Sequence, residues 1–258
     1  MMSNHLYLIS EAMKYVLEDL AFLVLVKFDT IERLENAVML LDYLDAHFKT
    51  NIYLWEIGTY DNGILQKLKH ESYKYKFFQD DGPILHRTKY INQMVCSVKE
   101  PYVAVWDVDV LIPPVQVSNA VDLLRNDAGI EVVYPYKGYF YEISQELRKF
   151  FYANRSIDFL CENKAFMNEM YPPNPVGGAF IIRRQSYIDS GLENTAFYGW
   201  GVEDGERFLR WTTQHLKIER IDGPLFHLTH PRSINSVFIT EDDNLIKKRI
   251  LFAAGRGI

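Results

Sequence analysis

The chain has 258 residues, 48% apolar and 14% aromatic, enough to bury a sizeable core and far from the composition of a disordered or fibrous protein. Its formal charge of −6 argues against a general nucleic-acid binder, which would carry a basic face. The only cysteines, Cys96 and Cys161, exclude a disulfide scaffold and fit a reducing compartment.

Residues 1–20, MMSNHLYLISEAMKYVLEDL, read as an N-terminal helix, and Glu11, Glu18 and Asp19 within them argue against a cleaved signal peptide. The longest apolar run, LAFLVLVKF, falls far short of the roughly 20 residues that span a bilayer. A cytoplasmic protein, soluble or peripheral to the membrane, is expected. The run AFLVLV (21–26) has the length of a buried strand. Ile31, Leu34, Val38, Leu41, Leu44 and Phe48 then recur at helical spacing, with Asp29 and Glu32 as a start signal. NIYLWEI (51–57), YVAVW (102–106) and IEVVY (130–134) read as further strands, and 86–99 as a second helix. Strands alternating with helices predict an α/β protein with a parallel sheet and right-handed crossovers.

Farther along, 143–170 has an amphipathic helical pattern, which YPPNPVGGAF (171–180) breaks. AFII (179–182) resumes as a strand, and GWGVEDGERFLRW (199–211) turns through glycines into a helix. No internal repeat or linker composition divides the chain.

Three groups of residues could carry chemistry. The run YVAVWDVDVLIPP ends its strand with Asp107 and Asp109. Strand positions i and i+2 face the same side, so two anions there need a counter-charge: a metal ion, basic side chains or water. Ligands of open α/β sheets bind beyond the carboxyl ends of the strands, where this pair falls. Plain solvated turn formers are the alternative. His227 and His230, in HLTH, are spaced to converge on one ion. Imidazole with carboxylate suits Zn²⁺, Mn²⁺ or Fe²⁺ better than Mg²⁺ or Ca²⁺, although one core and one surface histidine would also explain the pair. Glu203 and Asp204 open a helix, where acids are favoured by the dipole. Beside Trp200 they also offer what a sugar site needs, an aromatic face and carboxylate acceptors. Glu56, at the end of the second strand, is a nucleotide-side candidate or simply a solvated strand end.

Taken together, ILHRTKYINQMVCSVKEPYVAVWDVDVLIPP, VGGAFIIRRQSYIDSGLENTAFYGWGVEDGERFLR and HLTHPR resemble, in this order, the β-1,4-galactosyltransferase-type glycosyltransferases of the GT-A fold. The resemblance runs from VKFDTIERLENAV to HPR. It implies a mostly parallel central sheet flanked by helices, with a Rossmann-like N-terminal half. It also implies one domain over 1–258, with a nucleotide-binding half at 21–135 and an acceptor-side half at 136–258. The implied activity is inverting transfer of a hexose or N-acetylhexosamine from a UDP-sugar to a saccharide hydroxyl, in surface polysaccharide or glycoconjugate synthesis. Mn²⁺ or another divalent cation is the implied cofactor. Asp109, His227 and His230 would hold the metal, Asp107 would face the ribose, and Asp204 would be the catalytic base. Glu203 and Trp200 would bind the acceptor, while Gly177 and Gly178 would lie against the donor sugar. Arg87 would sit by the base or the phosphates, and Lys27 and Asp29 by the nucleotide. One base and no second nucleophilic carboxylate imply single displacement. Val202 stands where the family has a glycine, and Gly205 and Glu206 replace further aspartates. Two other readings use the same residues: a metal-dependent nucleotidyltransferase or phosphohydrolase, and a non-catalytic sugar-nucleotide- or carbohydrate-binding protein.

Overall fold

The structure, a computed structural model, describes residues 14–67 and 73–255. Strand β1 (Tyr15–Val26) is followed by helix α1 (Ile31–His47), β2 (Phe48–Gly58), the single turn α2 (Ile64–Lys67) and β3 (Tyr73–Gln79). Then come α3 (Arg87–Ser97), β4 (Tyr102–Trp106), β5 (Val110–Leu111), α4 (Pro114–Asn126) and β6 (Val132–Tyr134). The second half carries β7 (Phe140–Ile143), α5 (Gln145–Asn154), α6 (Ile157–Glu162), β8 (Asn168–Glu169), β9 (Ala179–Arg183) and α7 (Arg184–Asp189). It ends with α8 (Glu203–Thr213), β10 (Ile218–Arg220), β11 (Leu225–Leu228) and α9 (Glu241–Ala254).

Seven strands form the central sheet in the order β10-β6-β9-β4-β1-β2-β3. β4, β1, β2 and β3 run parallel, and β9 alone is reversed, antiparallel to both β4 and β6. The sheet is thus mixed, with helices flanking it. Leu20 to Val24 in β1 are wholly buried, as the continuous apolar run requires of a central strand covered on both faces. A four-stranded sheet, β5-β11-β7-β8, stands beyond the end of β4.

Several boundaries differ from the sequence reading. Of the helix expected over 1–20, residues 1–13 lie outside the described residues, and the rest is not helical. Tyr15–Leu17 extend β1 beside Phe48–Thr50, and a register shift follows before Ala21. Glu18 and Asp19 reach out of that irregularity to Lys49 at 2.6 Å and Arg125 at 2.5 Å. Helix α1 starts one residue later than expected, because Thr30 rather than Asp29 accepts from the backbone N–H of Arg33. The long helix expected over 143–170 is several pieces. Ser144 and Ser156 each cap a short helix, and Arg155 between them is left-handed at φ 57°. Strand β3 escapes an apolar-run criterion, since YKYKFFQ alternates lysine with aromatics, the guarded pattern of a sheet edge. No helix among the described residues is long and apolar enough to cross a membrane.

Candidate active site

At the edge where β1 and β4 end, β9 begins: Trp106 pairs with Ala179, and the Asp107 N–H donates to the Gly178 carbonyl at 2.9 Å. The paired aspartates and the paired glycines are therefore neighbours by sheet register. Residues 107–109 form a tight turn rather than continuing the strand. The Val110 N–H returns to the Asp107 carbonyl at 3.2 Å, and the Trp106 indole N–H donates to the Val110 carbonyl at 2.9 Å. β11 pairs with β5 so that His227 lies opposite Val110. This second sheet brings the histidines, more than a hundred residues away in sequence, beside Asp109.

A cavity of about 550 Å³ opens there. Arg87, Asp107, Asp109, Gly177, Gly178, Trp200, Glu203, Asp204, His227 and His230 all line it. Three expected nucleotide contacts do not. Lys27 is buried and donates its ammonium to the Gly82 carbonyl. Asp29 is held by Arg33 at 3.2 Å and by the side chains of Ser233 and Asn235. Glu56 is buried and accepts from the Tyr75 hydroxyl at 2.9 Å, and burial raises its pKa above the ordinary carboxylate range. In each case the polar group that would meet a ligand is engaged within the protein.

The two aspartates escape mutual repulsion by having separate partners. Asp107 meets Arg87 Nη2 at 2.7 Å. Burial within the cavity walls, reinforced by Asp109 and Asp204, still pushes its pKa up against the pull of Arg87. Asp109 Oδ2 lies 3.1 Å from His230 Nε2 and 3.7 Å from His227 Nε2. Burial alone would raise Asp109, but the two imidazoles overcome it and hold the pKa well below the usual range. His230 Nδ1 sits 2.9 Å from the Pro231 carbonyl, a contact that favours a proton on Nδ1 and would let Nε2 turn from Asp109 to a bound ion.

The donor set fits a divalent ion. One carboxylate oxygen and two imidazole nitrogens lie within 4.8 Å of one another. Metal bonds of roughly 2.0–2.2 Å would close that spread with small side-chain shifts. Nitrogen with oxygen suits Mn²⁺, Zn²⁺ or Fe²⁺, and three protein ligands leave positions for substrate oxygens.

Opposite the histidines, Trp200 to Val202 lead into α8. Val202 has φ 58°, a left-handed conformation unfavourable for a β-branched residue, and it aims the first turn of the helix at the cavity. Trp200 packs edge-on to Phe238 at 5.2 Å, and its carbonyl accepts from the buried Lys247 at 3.0 Å. Asp204 Oδ1 accepts from Arg207 at 2.6 Å, and the fully buried Arg207 also pairs with Glu193 at 2.9 Å. A Cβ at Gly177 would come within 2.7 Å of Asp204 Oδ2. Gly178 has φ +85°, and a Cβ there would approach Phe140 to 2.9 Å. The glycine pair therefore leaves room for Asp204 and Phe140.

Glu203 is buried, and one oxygen accepts from the Gly201 N–H at 2.8 Å. Burial first, and the charge of Asp204 second, push its pKa up to about 7. A carboxyl raised in the folded state adds stability below its unfolded pKa, and that contribution fades as pH climbs through the folded value. The thermal midpoint of wild type should therefore fall relative to Glu203→Gln between pH 5 and pH 8, by no more than about 3 kcal/mol in stability. Melts across that range are the check, and parallel profiles for the two proteins would refute the shift.

Several cavity residues were not singled out from sequence. Arg33, Arg232, Asn235 and Ser236 enter because the segment after β11 folds back over α1, where Arg33 Nη2 donates to Ser236 Oγ at 2.8 Å. Residues 170–176 form a proline-rich wall. Proline density marked that wall as a break, without indicating that it faces the cavity.

Residues 158–233, which contain both GWGVED and HLTH, match the family described as the N-terminal domain of galactosyltransferase. Among solved structures, the catalytic domain of Drosophila beta1,4-galactosyltransferase 7 in complex with xylobiose is similar at 16% identity, over 91% of this chain and 79% of that one, with a TM-score of 0.53. A mutant of the same enzyme complexed with manganese, UDP-Gal and xylobiose matches at 16% identity, over 90% and 79%, with a TM-score of 0.55. Mannosyltransferase PcManGT from Pyrobaculum calidifontis, in complex with GDP-Man and Mn²⁺, matches at 13% identity, over 87% and 60%, with a TM-score of 0.52. No curated protein sequence matches the chain. The fold is that of the GT-A glycosyltransferases, and the expected resemblance to the galactosyltransferase type holds.

Proposed function

We propose that this chain is an inverting glycosyltransferase that moves a hexose or N-acetylhexosamine from a UDP-sugar to a saccharide hydroxyl, in the synthesis of a surface polysaccharide or glycoconjugate. The observation that carries the reading is the convergence of Asp109, His227 and His230 in one cavity with Asp204 and Trp200. The manganese and UDP-Gal complex of the similar Drosophila enzyme supports the same metal and nucleotide.

Asp109, His227 and His230 would hold a divalent ion, which when bound supplies Lewis-acid stabilisation to the leaving diphosphate. Arg87, oriented by Asp107 at 2.7 Å, adds a guanidinium to the lining of the same cavity. Asp204 takes the proton of the acceptor hydroxyl. The hydroxyl oxygen forms its bond to the anomeric carbon as the carbon–phosphate oxygen bond breaks, and UDP leaves with the electron pair. Attack from the side opposite the leaving group inverts the anomeric centre. Glu203, with its pKa raised to about 7, is about half protonated at neutrality and in that form can donate to an acceptor oxygen, and Trp200 lines the same cavity with an aromatic face for the sugar ring. An aromatic acceptor wall beside the base favours a sugar over water as the nucleophile.

A panel of UDP-, GDP- and TDP-sugars, each with and without Mn²⁺, tests this. UDP with Mn²⁺ at about 100-fold above Kd should raise the thermal midpoint by roughly 5–10 °C, and neither alone should do as much. UDP affinity that survives chelation unchanged would contradict a metal-dependent nucleotide site.

A further inference from the structure

Leu228, which follows the first imidazole of the HLTH segment, is held on both sides of its backbone. Its N–H donates to the Asp109 carbonyl at 2.7 Å, and its own carbonyl accepts from Asn36 Nδ2 at 2.9 Å. Asn36, on α1, is fully buried. Its side-chain oxygen accepts from Arg148 Nε at 3.1 Å and from the Tyr152 hydroxyl at 2.6 Å, both on α5. Arg148 is fixed in turn by Glu35 Oε2 at 2.7 Å and the Glu32 carbonyl at 3.2 Å.

This network gives the amide one orientation. Two donors claim its oxygen, so its NH₂ must face Leu228. In a dry interior such a fully satisfied network is stiff, and losing one donor leaves a buried carbonyl short of a partner. Only Thr229 separates that carbonyl from His230, whose Nε2 stands 3.1 Å from Asp109. The backbone running from one imidazole to the other is thus referenced to Asp109 by its N–H and to α1 by its carbonyl.

We propose that Asn36 is a positioning residue for the metal pair: by fixing the Leu228 peptide it sets the spacing of His227 and His230 without touching the ion. This inference rests on the metal-dependent reading above. The role lies outside residues 158–233, and neither the spacing of the histidines nor the DVD run points to it.

Asn36→Asp isolates the contact. Aspartate keeps acceptors for Arg148 and Tyr152 but offers no donor to Leu228. Mn²⁺ affinity, measured without nucleotide by calorimetry or by the EPR signal of free Mn²⁺, should weaken about 10–100-fold, as when an outer-shell partner of a metal ligand is removed. Asn36→Ser, which shortens the side chain and adds no charge, should weaken it as well, and it serves if the aspartate variant does not fold. Tyr152→Phe removes a donor to the same amide oxygen while leaving Leu228 alone, so it should lower the thermal midpoint and leave Mn²⁺ affinity unchanged. Wild-type affinity in a folded Asn36 variant would overturn the proposal, as would equal weakening by Tyr152→Phe. A wild-type protein that binds no Mn²⁺ would instead overturn the metal reading, and this inference with it.

Discussion

Asp109→Asn is expected to abolish Mn²⁺ binding to the nucleotide-free protein and to cut sugar transfer by at least about 10²–10³-fold, the loss seen when one preorganised stabiliser of developing charge is removed. The substitution is close to isosteric, so the turn tied by the Trp106 indole should persist. It takes away the only carboxylate among the three convergent groups and leaves two imidazoles, a far weaker site for a hard divalent ion. Calorimetry for the metal and a radiolabelled-sugar assay for transfer would read the two effects separately. Wild-type Mn²⁺ affinity in this variant would remove the metal from Asp109, and with it the explanation of why both imidazoles turn toward that carboxylate.

Asp204→Asn should behave differently. UDP and Mn²⁺ should bind as in wild type, while transfer falls about 10²–10⁴-fold, the size expected of a general base. Asparagine keeps an oxygen for the 2.6 Å contact from Arg207, whose charge is still met by Glu193 at 2.9 Å. The loss would therefore report proton removal rather than collapse of the first turn of α8. The base assignment fails if the variant transfers sugar at the wild-type rate, or if UDP binding falls in parallel with transfer.

Much of this site could be read from the chain because its parts carry local signals. A buried run ending in DVD fixes β4 and its exit, and glycines before an acidic pair mark the start of α8. What lay beyond reach was pairing across distance. Nothing near Asp29 announces that its carboxylate meets Ser233 and Asn235, or that the Lys27 ammonium reaches the Gly82 carbonyl. The expected helix at 143–170 failed for a related reason. Its period is right within each piece, but two serine caps and a left-handed Arg155 cut it, and periodicity averages over such cuts. Asn36 was invisible as well, since a polar residue on an apolar helix face shows its use only once Leu228 is beside it.

The reversal of β9 has a consequence for how such an enzyme could diversify. Because that strand runs against β4 and β6, the chain reaches the catalytic edge along 170–178 before entering the sheet there. Exchanges along 170–176 can reshape that wall of the cavity while the strands beside DVD and HLTH keep their hydrogen-bonded partners. One short entrance ramp can thus be rewritten without disturbing the sheet edges that bring Asp109 and the two imidazoles together.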